Sequence, residues 1–251
     1  MASQTVFKRY ELKYMLTVEQ KERVLAAMAA HMKLDAYGRT TIRNLYYDTD
    51  TYLLIRRSIE KPTYKEKLRI RSYRRADGDS PVYVELKKKY KRVVYKRRIA
   101  VPQQLAMAWL SGETSFEHPT QIAKEIDYFL QLYGTLHPTL FLSYEREAYY
   151  AEDGSDFRVT FDDTILCRQQ ELTLASDVYG TPILPPDRVL MEIKCSGGIP
   201  LWMTEVLSRE KIYKTSFSKY GTAYRTLIFP QNHRVNEYTM LEVVNDDGKL
   251  V

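Results

Sequence analysis

The sequence predicts an α+β fold built on a closed or nearly closed antiparallel sheet, and three observations carry that expectation. Apolar and charged residues alternate along many short segments, which is the period of a strand with two unlike faces. Several of these segments follow one another across tight turns, as antiparallel hairpins do. Segments with helical spacing are inserted between them, and a core of that kind is built by helices packing on a sheet.

Taken in order, Phe7–Tyr14 reads as a first strand. Thr17 then starts a helix, with Gln20 three positions on as its capping-box partner and Leu25, Met28, Ala29 and Met32 at helical spacing. Thr41–Asp48 is a second strand, and Asp48-Thr49-Asp50 forms a turn and cap for a short helix through Ile59. Three strands follow closely: Lys65–Arg74, Val82–Tyr90 and Val93–Val101, the first pair parted by Asp77-Gly78-Asp79 and the second by Tyr90-Lys91-Arg92. Pro102 ends the third. Helices are expected over Gln103–Leu110 and Pro119–Tyr133, where Ile122, Ile126, Phe129, Leu130 and Tyr133 form an apolar stripe. Strands Thr139–Tyr149, Phe157–Asp162 and Arg188–Ser196 come next, then helices over Leu201–Ser208 and Ser218–Phe229. With no repeat or linker, a single domain is expected over 1–230, followed by a tail over 231–251.

The bulk composition narrows the function. Of 251 residues, 44% are apolar, enough for a packed core. The net charge of +6 is unevenly spread: 17 of the 38 Lys/Arg but only 5 of the 32 Asp/Glu lie between Arg56 and Arg98, so that segment carries +12 and the remainder −6. Such asymmetry points to a local anion site rather than a uniformly basic surface. Two cysteines are too few for a disulfide framework or a zinc cluster, and Cys195 falls on the apolar side of its strand, as a buried thiol. A reducing, cytoplasmic setting is the expectation, since the N-terminus lacks a signal-peptide apolar core and no stretch of about 20 apolar residues occurs.

Strand by strand, the charges share one parity. Arg9, Glu11 and Lys13 align opposite Tyr10, Leu12 and Tyr14; Lys67, Arg69 and Arg71 align opposite Leu68 and Ile70. Glu85, Lys87 and Lys89 form a third such row, Lys96 and Arg98 a fourth, and Glu192 and Lys194 another, while Arg146 and Arg158 stand on two further strands. An open sheet with one wet side also alternates in this way. A solvated face normally mixes signs, however, and like charges on neighbouring strands repel unless something anionic neutralises them. A cationic lining that grips a polyphosphate is therefore favoured, with Arg binding oxygens in bidentate fashion. Glutamates in such a lining repel phosphate unless a divalent cation lies between, which makes Glu192, Glu85 and Glu11 candidate Mg²⁺ or Mn²⁺ ligands. For Glu85 and Glu11, a plain ion pair with Lys87 or Lys13 is an equal alternative. Phosphate-loop, dinucleotide-loop, zinc-protease and serine-hydrolase motifs are all absent, and the four histidines are scattered. Phosphoryl transfer needs few such agents, because positioning and charge neutralisation do most of the work.

Eight motifs then occur in an order that resembles a known family: Phe7-x-Arg9-x-Glu11-x-Lys13-Tyr14, Asn44-Leu45-Tyr46-Tyr47-Asp48, Lys67-Leu68-Arg69-Ile70-Arg71, Val84-Glu85-Leu86-Lys87, Ser143-Tyr144-Glu145-Arg146, Phe157-Arg158-Val159-Thr160-x-Asp162, Met191-Glu192-Ile193-Lys194 and Ser216-Phe217-Ser218-Lys219-Tyr220. Over about residues 5–229 this resembles the VTC-type polyphosphate polymerase domain of the CYTH-like triphosphate tunnel metalloenzymes. The resemblance implies a closed antiparallel eight-stranded β-barrel, a triphosphate tunnel, with helices packed outside. It implies binding of a nucleoside triphosphate with Mn²⁺ or Mg²⁺, and transfer of the γ-phosphoryl of ATP to a growing polyphosphate chain.

By position, Lys13, Arg69, Arg71, Lys87, Lys96, Arg146, Arg158 and Lys219 look like triphosphate ligands, with Lys194 a neighbouring contact; Arg9 and Lys67 join the phosphate-binding set. Glu192 looks like the metal ligand. Lys13, Arg69, Arg71, Arg146, Arg158 and Glu192 are the residues expected to act on the transferring group. Many tunnel enzymes open with Glu-x-Glu-x-Lys; here the first acid is replaced by Arg9, which favours a longer polyanion over a two-metal hydrolase. Two alternatives stay open: a triphosphate hydrolase, and a binding module for acidic polymers without turnover. Nucleic acid is not an expected partner, since no stacking platform is evident.

Overall fold

In the structure, a computed structural model, residues 10–231 are described apart from 92, 117 and 118. Their elements are β1 (Tyr10–Thr17), α1 (Val18–Met28), β2 (Met32–Leu34), β3 (Thr40–Asp48), α2 (Leu53–Ile59), β4 (Tyr64–Ser72), β5 (Pro81–Tyr90), β6 (Val93–Pro102), α3 (Gln103–Leu110) and α4 (Gln121–Tyr133). These are followed by β7 (His137–Ala151), β8 (Arg158–Arg168), β9 (Thr181–Pro182), β10 (Arg188–Cys195), α5 (Leu201–Arg209), β11 (Lys214–Thr215), α6 (Lys219–Ala223) and a π-helical turn (Tyr224–Ile228). The start of the first expected strand, Phe7 to Arg9, and the tail from 232 lie outside the described residues.

Local chemistry sets several boundaries. Thr17 and Gln20 form the anticipated capping box, with Gln20 N donating to Thr17 Oγ1 at 3.2 Å and Thr17 N to the Gln20 side chain at 3.0 Å. Asp48 ends β3, and its carboxylate accepts the amides of Leu54 and Ile55 at 2.8 and 3.0 Å, so it caps α2 from several residues upstream. Met32 opens β2 rather than continuing the first helix, because α1 stops at Met28 and the chain turns with His31 N donating to Met28 O.

All strand pairs are antiparallel, in the order β11-β1-β10-β8-β7-β3-β4-β5-β6, with β2 beside β7 and β9 beside β8. This corrects the expectation of a closed eight-stranded barrel: the sheet has eleven strands and its path is open. It nevertheless curls. β1 and β5 are six steps apart along the path, roughly 29 Å in a flat sheet, yet Lys87 Nζ on β5 lies 3.0 Å from Glu11 Oε2 on β1. Side chains, not a backbone ladder, bridge the gap. Lys13 Nζ reaches Phe217 O at 3.0 Å, and Lys67 Nζ reaches Ser218 Oγ at 3.1 Å, so the segment before α6 is tied to the walls on both sides.

The resulting trough has an apolar outside and, apart from an apolar patch on β3 and β7, a charged inside. Leu68, Ile70, Val82, Val84 and Leu86 face Trp109, Ile126 and Phe129 of α3 and α4. Val159, Phe161, Met191 and Ile193 face Val24 of α1 and Met203 and Val206 of α5. A third cluster, with Tyr46, Leu140 and Leu142 against Ile55, Tyr220 and Ala223, packs α2 and α6 onto the sheet. Among the described residues, no helix is long and apolar enough to cross a membrane.

Replacing Asp48 by Ala strips two buried amides of their acceptor and removes the acceptor of the Tyr220 hydroxyl. Urea unfolding should show a loss of about 3 kcal/mol, and Asp48→Asn should recover part of it.

Candidate functional site

Directly opposed residues on neighbouring strands share a face, so the register decides which charges meet. Lys13 lies opposite Glu192, and Glu11 opposite Lys194. Arg146 lies opposite Asp162, Arg69 opposite Glu85, and Glu85 in turn opposite Arg98. The curl then brings these rows together. Ten cationic side chains (Lys13, Lys67, Arg69, Arg71, Lys87, Lys96, Arg98, Arg146, Lys194 and Lys219) line the trough beside four carboxylates (Glu11, Glu85, Asp162 and Glu192).

Glu85 is the hub of one half. It is fully buried and takes a double hydrogen bond from Arg69, at 2.9 and 2.8 Å, and an ion pair from Lys96 at 2.6 Å. Arg71 and Arg98 stand 3.9 and 3.8 Å from it. Burial pushes its carboxyl up, but Arg71, Arg69 and Lys96 outweigh that and hold the pKa well below the usual carboxylate range. Uncharged residues aim the guanidiniums: Arg69 donates to the Tyr46 hydroxyl, and Arg71 to Asn44 Oδ1 and the Tyr144 hydroxyl, each at 3.0 Å.

Asp162 and Glu192 organise the other half. Arg146 grips Asp162 through two bonds at 2.6 and 2.7 Å, and Lys219 Nζ reaches the same carboxylate at 2.5 Å. Glu192 is bracketed by Lys194 at 3.0 Å, Lys13 at 3.3 Å, Lys219 at 3.6 Å and Arg146 at 3.8 Å. Burial works against the charge of both acids, yet their cations prevail and both pKa values lie below normal. Lys87, with the other cations around it, holds Glu11 down at about 2.

The lysines show the opposite strain. Burial, then Lys13 and Lys87, pushes Lys67 well below its ordinary value. Burial also lowers Lys194, against the pull of Glu192. Lys96 is brought to about 7 by burial, with Arg71 and Arg69 adding to it against Glu85. Lys13 is the exception: Glu192 and Glu11 overcome its burial and raise it. Four acids do not neutralise this interior.

Most of the expected site residues converge, with specific differences. Arg9 lies outside the described residues. Arg158 is opposite Lys194 but exposed at one end, and among the described residues its side chain makes no hydrogen bond or ion pair. Among the described residues, no three His, Cys, Asp or Glu side chains gather as a metal cluster. Glu85, saturated by cations, fits an ion-pair hub better than a metal ligand. Glu192 also has four cations near it but no arginine gripping it through two hydrogen bonds, and with Glu11, likewise within reach of Lys13, it offers the pair of hard oxygen donors that would hold a divalent ion. Asp162, Asn44, Tyr46 and Tyr144 stand in the eight sequence motifs but had no role there: Asp162 shares parity with Arg158 and Thr160, and an uncharged anchor carries no charge signal.

Solved structures of low sequence identity share this fold. A crystal structure of a candidate adenylate cyclase from Bacillus halodurans shares the fold, with a TM-score of 0.52 at 15% identity over 88% of this chain and 100% of that one. A candidate adenylyl cyclase from Hippeastrum, described as having a dominant triphosphatase activity, matches with a TM-score of 0.50 at 15% identity over 88% and 96% of the two chains. The chain belongs to the VTC domain family, whose model matches residues 8–228. No curated protein matches it by sequence.

Lys96 gives a pH test. Its pKa falls from an ordinary 10.5 to about 7 on folding, so its buried charge costs most below pH 7 and that cost is relieved as pH rises toward 10.5. Urea unfolding of the free protein should show stability rising between pH 7 and 9 relative to Lys96→Met, by at most about 1.4 kcal/mol per pH unit. A slope shared by the variant would assign the effect to other groups.

Proposed function

We propose that the trough is a phosphoryl-transfer site and that the protein is a metal-dependent polyphosphate polymerase using ATP as donor. The observation that carries this is the imbalance of the interior: ten cations converge on four carboxylates, and Lys67 and Lys96 are driven toward neutrality. Unpaired buried charge on that scale is costly, and a triphosphate or polyphosphate relieves it.

The residues fit the roles such a reaction needs. Arg69, Arg71 and Arg146 are oriented by Tyr46, Asn44 and Asp162 to present N–H donors to phosphate oxygens without further reorganisation. Lys13, Lys67, Lys87, Lys194 and Lys219 supply compact charge around the same space. Glu192 with Glu11 would hold Mn²⁺ or Mg²⁺, which would supply further positive charge against the phosphates. An oxygen of the acceptor's terminal phosphate forms the new bond to the γ-phosphorus while the bond to the β-bridging oxygen breaks. ADP leaves with its developing charge met by Lys and Arg.

The depressed carboxylates favour transfer over hydrolysis. Glu11, Glu85, Asp162 and Glu192 are all weak bases, being held by cations. A phosphate nucleophile is already an anion and needs no base, whereas water has a proton to lose. Triphosphate hydrolysis is the second reading, favoured by the fold shared with the Hippeastrum protein and its described triphosphatase activity.

Purified protein with ATP and Mn²⁺ should yield ADP and long-chain polyphosphate, and EDTA should stop turnover. Release of inorganic phosphate with no polymer would select the hydrolase. Arg69→Ala should lower kcat/KM at least about a hundredfold, while Arg158→Ala, at the exposed end, should cost about tenfold or less. Equal losses in the two variants would overturn this placement of the reacting centre.

A further inference from the structure

We infer that Tyr73, Tyr83 and Arg98 form a nucleobase subsite at one mouth of the trough. The inference rests on the phosphoryl-transfer reading and adds the direction in which the donor lies. Along β4 and β5 the inner face changes in character, each opposed pair lying about 6.7 Å beyond the last. Lys65 opposes Lys89, Lys67 opposes Lys87, Arg69 opposes Glu85, and Arg71 opposes Tyr83. Past Arg71 the lining turns from charged to aromatic, with Tyr73 immediately after β4.

Arg98 is held differently from the other arginines here. Arg69 and Arg146 each grip a carboxylate through two hydrogen bonds. Arg98 instead lies on the Tyr83 ring, with its guanidinium carbon 3.4 Å from the centroid, and reaches Glu85 only at 3.8 Å. Tyr73 closes the corner: its ring meets Tyr83 edge-on at 5.6 Å and 78°, and its hydroxyl accepts from Arg98 Nη2 at 3.4 Å. Nε of Arg98 is buried with no hydrogen-bond partner.

A guanidinium has two faces, and Tyr83 covers one. The Arg98 side chain keeps 30% of its surface exposed and Tyr73 keeps 38%, so a flat, uncharged ring can stack at this corner. Base stacking on aromatic and guanidinium planes is a recurring mode of nucleotide recognition. Arg71, a phosphate ligand, stands directly opposite Tyr83, so a base stacked at this corner lies at the outer end of the phosphate row.

The trough is therefore polarised. With the base beside Tyr73, the phosphates run inward past Arg71 and Arg69, and the γ-phosphoryl points toward Lys67 and Lys87. The acceptor chain then approaches from the opposite mouth, where Lys65 and Lys89 face each other with no acid opposite either.

Calorimetric titration with the β,γ-imido analogue of ATP and with inorganic tripolyphosphate, each with Mg²⁺, tests the subsite. Tyr73→Ala and Tyr83→Leu should each weaken the nucleotide about tenfold and leave tripolyphosphate affinity unchanged, and Tyr73→Phe should bind both as wild type does. Unaltered nucleotide affinity in both variants, or equal losses for the two ligands, would overturn the subsite while leaving the phosphate site standing. Failure of the wild type to bind either ligand would instead bring down the phosphoryl-transfer reading and this one with it.

Discussion

One electrostatic constraint governs this protein: like charges from separate strands are drawn into an enclosed space that they would leave if they could. Burying a charge costs several kcal/mol unless it is paired. Glu85, Asp162 and Glu192 stabilise the arrangement by each serving several cations at once. They keep the guanidiniums charged and aimed, but leave Lys67, Lys96 and Lys194 strained, and under the proposed function a phosphate chain would relieve that strain.

The hydrocarbon packing makes the strained interior affordable. Helix pairs on two flanks bury the apolar face of every long strand, and the cluster around Tyr46 and Tyr220 fixes the segment that carries Ser218 and Lys219 into the trough. The open path of the sheet fits the same logic. Where β1 and β5 approach, the chain places an ion pair, Glu11 with Lys87, instead of a backbone ladder. A seam held by one part-buried ion pair is weaker than one held by strand hydrogen bonds.

How much could be read beforehand depended on the range of the interaction. Parity placed Lys67, Arg69 and Arg71 together because alternation along a strand is local, and the capping box of Thr17 and Gln20 spans three residues. Glu85 stayed ambiguous between metal ligand and ion pair until the register put Arg69 and Arg98 on either side of it. Arg158 has the same parity as Thr160 and Asp162, but it is the first residue of β8, a position parity does not report, and it is left exposed. Met32 fitted a helical period by coincidence, since three apolar positions cannot distinguish a continuing helix from a turn into a short strand.

By itself, the sequence determined the strands, their two unlike faces, the interspersed helices and the concentration of positive charge on one surface, because each follows from side-chain geometry within a few residues. Only the tertiary structure decided that the sheet stays open, that Asp162 joins Glu192 at the centre, and that Tyr73, Tyr83 and Arg98 meet at one mouth. Those outcomes depend on twist, register and contacts between residues as distant as Lys13 and Phe217, and the alternating pattern is the same for a flat, a curled or a closed sheet.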